Sequence, residues 1–258
     1  MGTKAPEFDE AMRYDLPRNT PTVLASFVAE VAYAVEQSFG QPREWMSFQP
    51  RQCMSRIASL MSGRAFVGLP LSRDETWSQA TVTYTQDVTR AWLVLRMIPW
   101  PIRPLIADLL PQVRSLKYQR RMTEEKLKPL LEYPPSKAST ADDAPGGDML
   151  RWFRRRYPGN PTPKQLARDQ LLATFASIYN LSNALTYLIF DLASHPEHIE
   201  PLRAELQDVL HGQSINKENI QRLKKLDSFI RESQRLSPPS LGTNDPIPIR
   251  ARSDEVVY

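Results

Sequence analysis

The chain has 258 residues, of which 41% are hydrophobic and 24% charged, with a net charge of +4; this is a globular composition, long enough to bury a sizeable core. A single cysteine excludes a disulfide framework and any multi-cysteine zinc or iron–sulfur site. Nine glycines against 23 prolines, without regular turn pairs, argue against a small all-β sandwich or barrel, and the mild basic excess does not by itself imply nucleic acid.

Residues 1–20 are polar, contain prolines, and read as an irregular lead-in; they carry no apolar run of the secretory kind, and Pro6 stands where myristoylation would want Ser or Thr. From Pro21 the pattern turns helical, with Leu24, Phe27, Val28, Val31, Ala32 and Val35 at i, i+3, i+4 spacing. Gly40-Gln41-Pro42 ends that helix. Ile57, Leu60, Met61 and Ala65 suggest a second helix, stopped near Gly68-Leu69-Pro70, and residues 76–97 a third. Pro99-Trp100-Pro101-Ile102-Arg103-Pro104 excludes helix interior. Leu105 to Leu131 then reads as one helix around an internal Pro111.

Residues 134–148 are turn formers and polar residues, hence a surface loop. A short basic helix, Met149 to Tyr157, follows. Thr162-Pro163-Lys164-Gln165 reads as a helix start, with a Thr cap, Pro at the first position and Gln at the third. The helix it opens runs to about Ala193, roughly 30 residues or ~45 Å. Its middle third is apolar all round, so burial on all sides is expected. Thr174, Ser177, Asn180, Asn183 and Thr186 recur every third position, so they drift round the helix and mark no single polar face. Gln170 to Phe190 has no formal charge and the length of a membrane span, but its polar side chains favour a buried soluble helix. Ser194 and Glu197 are spaced as a capping box for the next helix, which ends at His211-Gly212. Residues 216–225 form a short polar helix, and Leu226 to Leu236 a last one, closed by Ser237-Pro238-Pro239.

Few constellations carry chemistry. His195 and His198 could share a helix face, but a metal wants three or four ligands and none is near in sequence. Phosphate-binding loops and a nucleophile elbow are absent from the sequence. Cys53 reads as a buried small hydrophobe rather than a reactive thiolate. The cluster Arg151, Arg154, Arg155 and Arg156, interleaved with Trp152, Phe153 and Tyr157, reads as a solvated face whose aromatics anchor it to the core; a nucleic-acid role would rest on this cluster alone. Glu232 and Arg235 are spaced to form an ion pair on the last helix, as are Glu10 with Arg13 and Glu200 with Arg203.

Context separates these three. A long apolar helix, then His195-Pro196-Glu197, then Leu202-Arg203-Ala204-Glu205-Leu206, then Glu232-Ser233-Gln234-Arg235-Leu236 before prolines, resembles the middle of a cytochrome P450. Ser62-Gly63-Arg64-Ala65-Phe66-Val67-Gly68 with Leu71-Ser72-Arg73 and Trp77, and Arg103-Pro104-Leu105, resemble the fungal monooxygenases of secondary metabolism that oxidise terpenoid and related skeletons. The similarity runs from about Leu16 to Pro239. It implies a mainly α fold, the central helical part of a P450-like fold with little sheet: lead-in 1–20, helical domain 21–239, irregular tail 240–258.

The resemblance also implies function. Residues 163–193 match the family's I helix, with Ser177, Asn180 and Leu181 in its haem-facing region. Asn180 takes the place of the Thr that helps deliver protons to bound oxygen, and Leu181 the place after it. Glu232 and Arg235 match the family's structural Glu-x-x-Arg pair. Haem, a small hydrophobic substrate and a P450 reductase are implied; nucleic acid is not. The family's iron ligand is a Cys in Phe-x-x-Gly-x-x-x-Cys-x-Gly, well after the Glu-x-x-Arg helix; Cys53 lies far upstream without glycine neighbours. An amide cannot duplicate a hydroxyl's donor-and-acceptor relay. The expectation is therefore a family member truncated at both ends, without transmembrane anchor, cytoplasmic as given where the family is usually anchored to the endoplasmic reticulum, and catalytically incompetent alone. The alternative is a non-enzymatic helical interaction protein that retains the P450 middle.

Overall fold

A computed structural model describes residues 6–40, 47–107, 109–132, 148–159 and 161–238. The described residues form helices, turns and irregular connections, with no strand among them. Proline and hydrophobic periodicity explain most boundaries. The helix α3 (Thr20–Phe39) ends where Gly40 takes φ +64° and its N–H bonds back to Glu36. Pro50 opens α4 (Pro50–Phe66) at its first turn, well before the apolar pattern starts at Ile57. Asp74 caps α5 (Glu75–Met97) by accepting from the Trp77 N–H at 2.8 Å.

From Pro6 to Arg18 the lead-in is helical, contrary to the expectation of an irregular segment over residues 1–20. Residues 6–18 form α1 (Pro6–Glu10), a π-helical segment (Ala11–Asp15) and α2 (Leu16–Arg18). Local propensity does not hold them; tertiary contacts do. Phe8 stacks on Phe153 with ring centroids 5.6 Å apart, and Ala11 is fully buried. Arg156 binds Asp15 through two N–H groups at 2.8 and 2.9 Å and Glu10 at 3.2 Å.

The single helix expected around Pro111 is two: α6 (Arg103–Ala107) and α7 (Pro111–Glu132). Pro111 has no N–H to give a preceding turn, so it begins α7 instead of sitting inside one helix. Pro129 lies within α7. The expected loop at 134–148 falls outside the described residues up to 147; Asp148 opens α8 (Asp148–Arg156). The tail 240–258 also lies outside the described residues.

The centre of the molecule is α9 (Pro163–Ser194), 32 residues long. It packs along α4, with α5 and α7 on its flanks and α3 on the outer side of α4. One apolar core joins the lead-in to α4, α5, α7, α8 and α9 through Phe8, Phe66, Trp77, Leu127, Phe153 and Leu166. A second joins α3 to α4 and α9 through Ala34, Met54, Ile57 and Leu60, with Leu185 and Ile189 against them. After α9 come α10 (Ile199–Leu210), α11 (Lys217–Ile220) and α12 (Lys224–Leu236). His211 in the left-handed region and Gly212 at φ +78° end α10, as the sequence suggests.

The Ser194–Glu197 capping box does not form. Ser194 is the last residue of α9, His195 closes it, and a 3-10 turn (Pro196–His198) intervenes before α10. Pro196 forces that break, and Glu197 turns to His195 Nδ1 at 3.3 Å instead.

Candidate functional site

Two features make α9 a scaffold. Its start is held by a full capping box: Gln165 N–H donates to Thr162 Oγ1 at 3.3 Å, and Thr162 N–H donates to Gln165 Oε1 at 2.9 Å. Its buried hydroxyls are satisfied within the helix. Thr186 Oγ1 donates to the Ser182 carbonyl at 2.6 Å and Ser182 Oγ to the Tyr179 carbonyl at 3.3 Å. A long rigid rod can therefore bury Thr174, Ser182, Asn183 and Thr186.

The middle of α9 is not buried on all sides, which corrects the expectation from its apolar composition. Ala176, Asn180, Tyr187 and Phe190 are exposed and lie along one stripe. At 3.6 residues per turn they fall within roughly 80° of one another. Other helices cover the rest of the circumference. Of the polar residues that drift round the helix, Thr174, Ser177, Asn183 and Thr186 land on covered sides and Asn180 on the open one, beside two exposed aromatic rings.

The three residues expected to face a cofactor separate here. Ser177 is turned to α4, where its Oγ lies 2.7 Å from Ser62 Oγ. Leu181 is half-buried. Asn180 stands on the open stripe, and its Nδ2 donates to the Ala176 carbonyl at 2.8 Å. That bond holds the amide against its own helix and leaves Oδ1 as an outward acceptor.

Cys53 lies on the other side. It sits on α4, half-buried, with Sγ 3.9 Å from the Ser38 carbonyl and in the core that holds Leu185 and Ile189. Leu185 is about 180° from Ala176 and ~140° from Asn180 around α9. The thiol and the open stripe therefore occupy opposite faces of the helix.

On α12, Arg235 grips Glu232 through two contacts, at 2.6 and 2.8 Å. Each side chain is 56% exposed. The hydrogen bond from Arg235 lowers the Glu232 carboxyl below its ordinary range, and the same bond raises the guanidinium. The other two patterns behave differently. Glu200 holds Arg203 through one contact at 2.8 Å. Glu10 binds Arg156. His195 and His198 have ring centroids 6.1 Å apart, and no group of three His, Cys, Asp or Glu able to hold a metal occurs among the described residues.

Two cavities border the scaffold. A cleft of about 400 Å³ lies between α4, α5 and α9, lined by Ser55, Thr85, Thr89, Ile178, Tyr179 and Ser182. An apolar groove of about 730 Å³ lies between α3 and α12, with Leu24, Phe27, Val31, Leu206, Leu226 and Ile230 on its walls.

Sequence reasoning missed two buried polar sites. Glu30, only 1% exposed, accepts from Arg73 at 2.8 and 3.0 Å, and Arg73 lies 3.9 Å over the Tyr33 ring. The signal was a carboxylate inside the apolar stripe between Phe27 and Ala34. Asp169, fully buried, accepts from Tyr157 at 2.5 Å and from Arg168 at 2.9 Å. Burial, with the Asp169 bond second, pushes the Tyr157 hydroxyl well above its usual range. On α8 the aromatics Trp152 and Phe153 are in the core as read, but the face is only partly solvated: Arg155 is exposed, whereas Arg154 donates to the Leu130 carbonyl at 3.4 Å and Arg156 is paired with Asp15.

Comparison with known proteins adds to this geometry. The family model described as Cytochrome P450 matches residues 17–244. Cytochrome P450 monooxygenase ataF of Aspergillus terreus is 80% identical over 241 residues, covering 93% of this chain and 49% of that protein. Cytochrome P450 monooxygenase gliF of Aspergillus fumigatus is 51% identical over 272 residues, covering 100% of this chain and 54% of that protein. The solved structure of retinoic acid bound cyanobacterial CYP120A1 matches with a TM-score of 0.62 at 19% identity, over 92% of this chain and 50% of that one. At that identity the likeness speaks for the fold. The chain spans about half the length of the curated relatives it matches.

Proposed function

The chain belongs to the cytochrome P450 family, and on that premise we propose that it forms the central helical part of a haem-thiolate monooxygenase of fungal secondary metabolism. The observation that carries this reading is the open stripe of α9. Through its middle, a helix otherwise at least half-covered leaves Ala176, Asn180, Tyr187 and Phe190 exposed. A flat macrocycle needs a low-relief face, and Ala176 with Asn180 offers one. Haem, when bound, supplies oxygen activation. Asn180 presents an amide carbonyl there and no hydroxyl, so it orients a water or a substrate polar group by accepting a hydrogen bond. The Glu232–Arg235 pair stiffens α12 and touches no substrate. A small hydrophobic substrate and a P450 reductase complete the reading, and these residues work on the cytoplasmic side.

The iron ligand is not Cys53. Its position behind α9 keeps the thiol from the stripe. We place the thiolate outside these 258 residues, and we read these residues by themselves as catalytically incompetent. The apolar groove between α3 and α12 favours a second reading, a helical interaction protein that keeps the family's middle without its chemistry.

Haem titration of the purified chain, followed by reduction under carbon monoxide, tests this. Any haem uptake should lack the thiolate signature and be indifferent to Cys53→Ser. A thiolate-type Soret band that disappears in Cys53→Ser overturns the assignment. Cooperative unfolding with no haem uptake favours the interaction protein.

A further inference from the structure

The cleft between α4, α5 and α9 has a basic rim. Arg51, at the start of α4, and Arg90, on α5, both line it and both are exposed. Among the described residues Arg51 has no ion-pair partner, and no carboxylate lines the cleft. Arg90 comes only to 3.8 Å from the buried Asp87. Gln49 opens α4 without a side-chain cap, so the positive end of that helix adds to the two guanidiniums. One turn on from Arg51, the Ser55 side chain also lines the cleft; Ser55 is 8% exposed and has no hydrogen-bond partner among the described residues.

The interior differs from the rim. Ile178 is buried, Val82 is half-buried, and the half-buried Tyr179 ring stacks on Phe175 with centroids 5.8 Å apart. Beside these groups stand hydroxyls whose protons are already committed. Thr85 Oγ1 donates to the Thr81 carbonyl at 2.9 Å, and Ser182 Oγ to the Tyr179 carbonyl at 3.3 Å. What these two oxygens offer the cleft is lone pairs, which accept. A bare anion would satisfy the guanidiniums and leave the apolar interior wet. A neutral ring would fill the interior and leave Arg51 and Ser55 unmatched. A carboxylate on a ring that ends in a donor meets both needs, and about 400 Å³ has room for one.

We propose that this cleft binds an aryl carboxylate. Its acid group lies at Arg51 and Arg90 with Ser55 donating, its ring rests on Val82, Ile178 and Tyr179, and a hydroxyl or N–H at its far end donates to Thr85 and Ser182. Tyr179 precedes Asn180 and lies ~100° from it around α9, so the site flanks the open stripe without occupying it. The proposal is independent of the haem reading.

The test is calorimetric titration of the purified chain with 4-hydroxyphenylacetate. Methyl 4-hydroxyphenylacetate has the same ring and no charge, and should bind at least about tenfold more weakly. Phenylacetate lacks the far hydroxyl and should lose about fivefold. Arg51→Gln should weaken the acid about tenfold and leave the ester unchanged. Asp87→Asn with Arg90→Gln, a pair that strands no buried carboxylate, should do the same. Val82→Trp should abolish binding of both by filling the interior. Far-UV circular dichroism identical to the parent shows that the variants are folded. Equal affinity for acid and ester on the parent protein overturns the proposal without any variant. So does acid binding that survives Arg51→Gln and Val82→Trp, or no saturable binding of the acid at millimolar concentration. Inorganic phosphate that binds as tightly as the acid also overturns it, because the cleft would then hold an adventitious ion only.

Discussion

Ser62 and Ser177, 115 positions apart in sequence, share a hydrogen bond of 2.7 Å that joins α4 to α9. Ser62 is fully buried. On α4 the same polar seam continues at Ser59, which lies 3.2 Å from Ser78 Oγ and 3.0 Å from Thr81 Oγ1 on α5. Hydroxyls therefore tie three helices together, and an ion pair from Arg56 to Glu75 at 2.9 Å adds to them between α4 and α5. Ser62→Ala and Ser177→Ala should each cost about 1 kcal/mol, and the double variant little more than either alone. Urea midpoints of the four proteins check this; full additivity would mean the two hydroxyls do not interact.

Glu30 and Arg73 should show a strong asymmetry. Arg73→Ala strands a carboxylate that is 1% exposed and should cost about 3–5 kcal/mol. Glu30→Gln with Arg73→Met keeps the volume and removes both charges, so it should cost much less. Thermal unfolding of both variants distinguishes a paired buried charge from simple packing.

Acid should loosen the start of α5 through Asp74. The hydrogen bond from Lys126 Nζ at 2.8 Å, then that from Thr76, holds its carboxyl at about 2 against an ordinary 3.8. A folded-state value below the unfolded one makes the contribution complete above about pH 4. It is lost as pH falls toward 2. Asp74→Asn should cost about 1 kcal/mol at neutral pH and flatten the acid limb of the stability profile. Denaturation midpoints measured at several pH values between neutrality and about 2 give the result.

The two sides of α8 should answer differently. Phe153→Ala removes a fully buried ring stacked on Phe8 and should cost about 3–5 kcal/mol. Arg155→Ala, on the exposed side, should change stability by less than about 0.5 kcal/mol. Oligonucleotide binding by the parent that falls with Arg155→Ala would reverse the reading of this helix as a solvated face.

Much of the secondary structure is legible from local chemistry. Thr162, Pro163 and Gln165 announce the start of α9, and the His211-Gly212 stop follows from backbone sterics. Glu232 and Arg235 meet because helical spacing brings them together. The lead-in is not legible, because Phe8 and Ala11 form helix only against a ring supplied by Phe153. Glu10 is spaced to pair with Arg13, yet binds Arg156, since a partner remote in sequence can outcompete a local one.

The candidate site divides in the same way. The sequence by itself determined the helical class, the order of the motifs and the P450 resemblance, because each depends on short-range spacing. It also puts an amide, Asn180, in the middle of α9; that this amide takes the place of a hydroxyl is what the resemblance implies. The tertiary structure alone decided which side of α9 stays open, that Ser177 turns to Ser62, and that Cys53 lies behind the helix. The physical reason is that composition gives a helix its polarity, while the neighbours packed around it choose which residues water can reach.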